Sequence, residues 1–97
     1  MHGEYKTPGG KLVVADFTVH EGRLANVEVT GDFFLYPDDA LDTITHALSG
    51  LSSSLPADEI AAHIQHAVGP DVTFLGFSPE AIGIAIQRAM SEASNEQ

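Results

Sequence analysis

The sequence predicts an α+β fold of two layers, an antiparallel three-stranded meander followed by three helices packed on one face of the sheet. Two observations predict it. Apolar residues recur at every second position through residues 1–36 and at helical spacing through residues 37–97, with no β-α-β alternation. A chain of 97 residues that is 43% hydrophobic can fill one core, so residues 1–97 read as a single domain. Strands are expected within about residues 3–36, and helices at about 37–50, 56–68 and 78–92.

The elements follow in order. Glu4-Tyr5-Lys6 starts a strand that Pro8-Gly9-Gly10 turns back on itself. The next strand sets Val13, Ala15, Phe17 and Val19 against Val14, Asp16, Thr18 and His20. The third sets Ala25, Val27 and Val29 against Asn26, Glu28 and Thr30. A two-residue loop at Glu21-Gly22 would place Phe17 opposite Asn26. A three-residue loop from His20 to Gly22 pairs Phe17 with Ala25 and Ala15 with Val27, uniting the apolar faces, and is therefore expected. The third strand runs on as Gly31-Asp32-Phe33-Phe34-Leu35-Tyr36, where alternation fails. Gly31 reads as a bulge or kink that sends one phenylalanine inward. The other, or Tyr36, must meet a helix, a partner or solvent.

Pro37-Asp38-Asp39 opens the first helix with acidic residues at its positive end. Leu41, Ile44, Leu48 and Leu51 form its stripe and Gly50 its stop. Pro56 opens the second, with Ile60, Ile64, Ala67 and Val68 inward and Gly69-Pro70 at its end. Val72 and Phe74 alternate in a short extended segment. The third helix has Ser78 as N-cap, Pro79 in its first turn, and a staple of Phe77 with Ile82. Ile82, Ala85, Ile86, Ala89 and Met90 face inward, and residues 91–97 are expected to fray.

Composition excludes several function classes. Fourteen Asp and Glu against four Lys and Arg give a net charge of −10, which repels nucleic acid and anionic membranes. With no cysteine, disulfides, thiolate metal sites and cysteine nucleophiles are out. No apolar run approaches the roughly 20 residues of a membrane span, and no secretory leader is apparent, so a cytoplasmic protein is expected.

The candidate motifs are few. Gly9-Gly10-Lys11 is not a phosphate loop: Tyr5 stands where the first glycine belongs, Leu12 where Ser or Thr belongs, and a strand follows. Its glycines and the flanking Lys6 and Lys11 suit either a guarded edge turn or a loop facing an anion or a partner. Glu59, His63 and His66 share a helix at ligand-like spacing, but one helix lacks the usual geometry of a zinc site, and no metal site is expected. Ser52 to Ser54 lie in a linker without a strained elbow, and Asp38, Asp39 and Asp42 support a helix start, so no catalytic residue is assigned.

Three motifs together, His2-Gly3-Glu4-Tyr5-Lys6, Pro8-Gly9-Gly10-Lys11-Leu12 and Gly31-Asp32-Phe33-Phe34, resemble the accessory domain of lipoate–protein ligases. The resemblance runs from His2 to about Met90 and looks like the separate-subunit form. It implies a fold similar to that of the SufE/NifU scaffold proteins, without their cysteine chemistry. It also implies a catalytic ligase subunit as partner, which adenylates lipoate with ATP and Mg and transfers the lipoyl group to a lysine of a carrier domain, a second expected partner. This chain alone is expected to bind none of these cofactors. On that basis Lys6, Gly9, Gly10 and Lys11 form a loop facing the partner or the adenylate, and Asp32, Phe33 and Phe34 form the partner interface. The competing expectations are a carrier-binding adaptor and a small metal-dependent enzyme.

Overall fold

The computed structural model describes residues 1–9, 11–32, 34–37 and 39–95. Expectations placed on Gly10, Phe33, Asp38 and the last two residues lie outside them. The elements run β1 (His2–Lys6), β2 (Leu12–His20), β3 (Arg23–Gly31), β4 (Phe34–Tyr36), α1 (Ala40–Leu48), α2 (Ala57–Val68), β5 (Thr73–Leu75) and α3 (Pro79–Asn95). β1, β2 and β3 form an antiparallel meander, and β4 pairs with β5 in a separate two-stranded ribbon. The α+β class and the strands-then-helices order stand as the periodicity predicts.

One sheet face carries the core. Val13, Ala15 and Phe17 of β2 and Leu24, Val27 and Val29 of β3 are buried against Ile44 and Leu48 of α1 and Ile82, Ala85 and Ile86 of α3. α3 lies over β1 and β2 and α1 over β3, while α2 packs on both helices through Ile60 and Ile64. α3 therefore touches the sheet on one side and α2 on the other. Small residues make both contacts possible, Gly3 of β1 meeting the backbone at Ala85 and Gly83 meeting that of Ala57.

The β2–β3 register corrects the three-residue loop. His20 pairs with Arg23 and Val19 with Leu24 around a two-residue turn. Glu21 (φ 54°) and Gly22 (φ 77°) both take the left-handed conformation of a type I′ hairpin. The mismatch that argued against this turn is absorbed further along. The register shifts between Asp16 and Thr18, and Asn26 bulges out at φ 52°. The Asn26 amide donates to Thr18 Oγ1 at 3.1 Å, and the Thr18 hydroxyl donates to the Ala25 carbonyl at 3.2 Å. One extra residue on β3 changes the inward set from Leu24 to Val27 and Val29, so both strands keep their apolar faces together.

The helices form with trimmed ends. The Ala40 amide donates to the Pro37 carbonyl, and α1 begins at Ala40 rather than Pro37. Ala61 takes the inward place expected of Ala67, which is exposed. The Ser78 cap is present, with Ala81 N donating to Ser78 Oγ at 3.3 Å, and both Phe77 and Ile82 are buried. α3 continues to Asn95, past the point where fraying is expected. Among the described residues, no helix is long and apolar enough to cross a membrane.

Candidate functional site

The lysine loop closes on Thr7. Its amide donates to the Lys11 carbonyl at 2.8 Å, and Lys11 N donates to Thr7 Oγ1 at 3.2 Å. The same hydroxyl donates to the Gly76 carbonyl at 3.3 Å, latching the loop to the end of β5. Lys11 adds a second tie. Gly76 has φ +88°, and a Cβ there would lie 2.7 Å from Lys11 Cγ, so the lysine stem lies flat across a residue with no side chain.

Sequence distance hides what this latch brings together. Leu75, next to Gly76, pairs with Phe34, and Tyr36 pairs with Thr73. On the inner face of the ribbon Leu35 is buried, and the half-buried Phe74 meets Phe77 edge-on, ring centroids 5.1 Å apart. On the outer face Phe34 is 72%, Tyr36 71% and Leu75 53% exposed. The expected continuation of β3 through residues 31–36 is thus corrected: the strand ends at Gly31, Leu35 enters the core, and Phe34 is the phenylalanine left exposed. Asp32 is exposed, and its amide donates to the Leu12 carbonyl at 3.1 Å, which places it beside the exit of the lysine loop. Lys11, Asp32 and Phe34 therefore share one end of the molecule. Lys6 joins them through its pairing with Leu12. Thr7, Leu75 and Gly76 were missed by sequence reasoning, which left Tyr36 to meet a helix, a partner or solvent and read Val72 and Phe74 only as a short extended segment.

The four cations divide into two kinds. Arg23 donates to the Gly50 carbonyl at 2.8 Å. Arg88 donates to the Glu4 carbonyl at 3.3 Å and stacks over Tyr5, 5.0 Å from its ring centroid. These arginines tie helices and linker to the sheet. Lys6 and Lys11 are exposed and, among the described residues, form no ion pair despite the acidic excess.

The open face of the sheet carries a cluster of one histidine and two carboxylates. His2 Nδ1 lies 2.6 Å from Asp16 Oδ1, and its Nε2 lies 2.7 Å from Glu4 Oε2. Both nitrogens can donate only when the ring is protonated. The Glu4 and then the Asp16 hydrogen bonds accordingly raise the His2 pKa above the ordinary 6.5. Since the folded value lies above the unfolded one, the pair contributes stability that is complete below about pH 6.5 and fades as pH rises through the folded pKa. The contribution is small, because solvent screens a half-exposed pair. An NMR titration of His2 is expected to give a midpoint above 6.5, and the double substitution Glu4→Gln, Asp16→Asn to bring it down towards that value. An unchanged midpoint would show that the contacts do not persist in solution.

The remaining candidates lie apart. Glu59, His63 and His66 are exposed on α2, and His63 Nε2 contacts the Ala47 carbonyl at 3.0 Å. Among the described residues, no group of three His, Asp or Glu is placed to hold a metal ion. Ser52 and Ser54 hydroxyls contact each other at 2.9 Å in the α1–α2 linker. Beside them, Leu55, Ile86 and Met90 floor a cleft of about 270 Å³ rimmed by Ser53, Ser54, Gln87 and Ser91.

No protein-family model matches the chain. No curated protein sequence matches it either. Its fold is similar to a solved chain from an archaeal lipoylation system of Thermoplasma acidophilum, comprising a bi-partite lipoate protein ligase and its E2 lipoyl domain. The two align with a TM-score of 0.67 and 24% identity over 89% of this chain and 97% of that one. The two chains share a fold over nearly their whole lengths.

Proposed function

We propose that this chain is a non-catalytic accessory subunit of a two-part lipoate–protein ligase. It binds the catalytic subunit and supports ATP-dependent adenylation of lipoate before transfer to a carrier-domain lysine. The observation that carries this reading is the mutual coverage, 89% and 97%, with a chain from a bi-partite lipoate protein ligase system. The convergence of the lysine loop with Asp32 and Phe34 supports it independently, since the residues expected to meet a partner lie at one end of the molecule.

The chemistry assigns this chain a modest part. When the lipoate carboxylate attacks the α-phosphorus of ATP, pyrophosphate leaves and negative charge builds on phosphoryl oxygens. Lys6 and Lys11 would bring positive field to the mouth of that site, with Gly9 and Gly10 allowing close backbone approach and Asp32, Phe33 and Phe34 anchoring the interface. Lipoate, ATP and Mg are held by the catalytic partner.

The test is adenylate formation by the purified catalytic subunit with ATP and lipoate, without carrier, in the presence and absence of this chain. Stimulation on addition is expected, with the intact mass of the chain unchanged because the acyl group ends on the carrier. No stimulation, together with binding to the carrier alone, would instead favour an adaptor. Acylation of the chain itself would make it a carrier.

A further inference from the structure

The outer face of the β4–β5 ribbon is anchored from below and open above. Leu35 and Phe74 fix its inner side to the core, so Phe34, Tyr36 and Leu75 are presented on a held backbone. Phe34 lies opposite Leu75 across the ribbon, and Tyr36 follows two residues along the same strand, so the three share one face. Two aromatics with few rotamers and an aliphatic neighbour are the composition of an interface centre. At the rim, the Lys11 stem is seated on Gly76, directly after Leu75.

Charge decides what this face can approach. With a net charge of −10, most of the surface is repelled by a site holding a triphosphate. Among the described residues, the two arginines are tied to carbonyls, and the cations left over are Lys6 and Lys11. An orientation that brings these lysines to the mouth of such a site also brings the ribbon face against its border.

We infer that Phe34, Tyr36 and Leu75 form the docking face for the catalytic ligase subunit, against an apolar border of its nucleotide-binding mouth, with Lys11 on Gly76 at the rim. This rests on the accessory role proposed above. It places the affinity in the ribbon, with Tyr36 and Leu75 added and Asp32 left at the margin.

The experiment measures the dissociation constant between the purified chain and the catalytic subunit by calorimetry. The double variant Phe34→Ala, Tyr36→Ala is expected to bind at least about tenfold more weakly. Its own melting temperature should stay within about two degrees of wild type, because surface changes away from packing features cost little. Glu28→Gln, on the open sheet face away from the ribbon, should leave binding within about twofold, the scale of a rim charge. Unchanged affinity of the double variant, or equal weakening by Glu28→Gln, would overturn the inference while stimulation by wild type left the accessory role standing. Wild type that neither binds nor stimulates would remove both. Self-association of the chain lost in the double variant, with ligase binding intact, would assign the face to a second copy and likewise overturn it.

Discussion

Replacing Gly3 with alanine is expected to destabilise the fold by about 3 kcal/mol, the upper end of the range for overpacking. For a domain of this length that lowers the melting temperature by on the order of 15 °C. A Cβ at Gly3 would penetrate the Ala85 carbonyl oxygen and lie 2.6 Å from the Ala89 amide nitrogen and 2.8 Å from Ala89 Cβ. Two of these three atoms belong to helix backbone and cannot rotate aside, so β1 or α3 must move as a unit. α3 has little room for that, since its far side meets α2, where Gly83 lies against the Ala57 backbone. β1 is equally committed through its pairing with β2 from His2 to Lys6. Denaturation followed by circular dichroism gives the number. A loss below about 1 kcal/mol would show that the β1–α3 contact gives way more easily than close-packed layers do. The compensating pair Gly3→Ala, Ala89→Gly should recover only a minor part, because it removes one methyl and leaves the Ala85 carbonyl in place.

Gly3 also illustrates what was legible in the sequence. Its place in the His2-to-Lys6 motif drew attention to it, but nothing in a linear pattern tells a glycine needed by a partner from one needed by a helix crossing above. The helices were readable because Ile44, Leu48, Ile60, Ile64, Ile82 and Ile86 hold a 3.6-residue period, and all six are buried. The Ser78 cap was readable because its hydrogen bond is local. The β2–β3 hairpin was readable as a hairpin but not in register. A bulge at Asn26 changes parity partway along β3, and a pattern argument that assumes unbroken alternation must then misplace the turn by one residue.

The ribbon was the least legible element, for a similar reason. β4 and β5 are three residues each and lie on either side of two helices. Neither has enough residues for alternation to stand out, and their pairing is long-range. Failed alternation across residues 31–36 was a real signal, since β3 and β4 belong to different sheets. The candidate site was thus visible as two separate motifs. That β5 is the surface on which they meet, through Thr7 and Lys11 at Gly76, emerged only with the tertiary structure.

The double substitution Lys6→Ala, Lys11→Ala is expected to slow lipoyl-adenylate formation at saturating chain by tenfold or more. Transfer from preformed adenylate should proceed at the wild-type rate, and affinity for the catalytic subunit should change by less than about threefold if the ribbon supplies the docking energy. The magnitude follows from Coulomb's law. Unit charges about 8 Å apart interact by roughly 2 kcal/mol at an effective dielectric of 20. A factor of ten in rate requires about 1.4 kcal/mol. Two lysines acting on charge that grows during adenylation reach that figure even when only part of the field distinguishes transition state from ground state. A field effect depends on charge, so Lys6→Arg, Lys11→Arg should restore most of the rate, whereas a role in shaping the loop would not be rescued. Added salt should erode the stimulation by wild type and leave the alanine variant nearly insensitive, because exposed charges are screened over about 8 Å at physiological ionic strength. Equal loss in adenylation and in transfer would separate the lysines from the activation step and leave them a part in binding common to both.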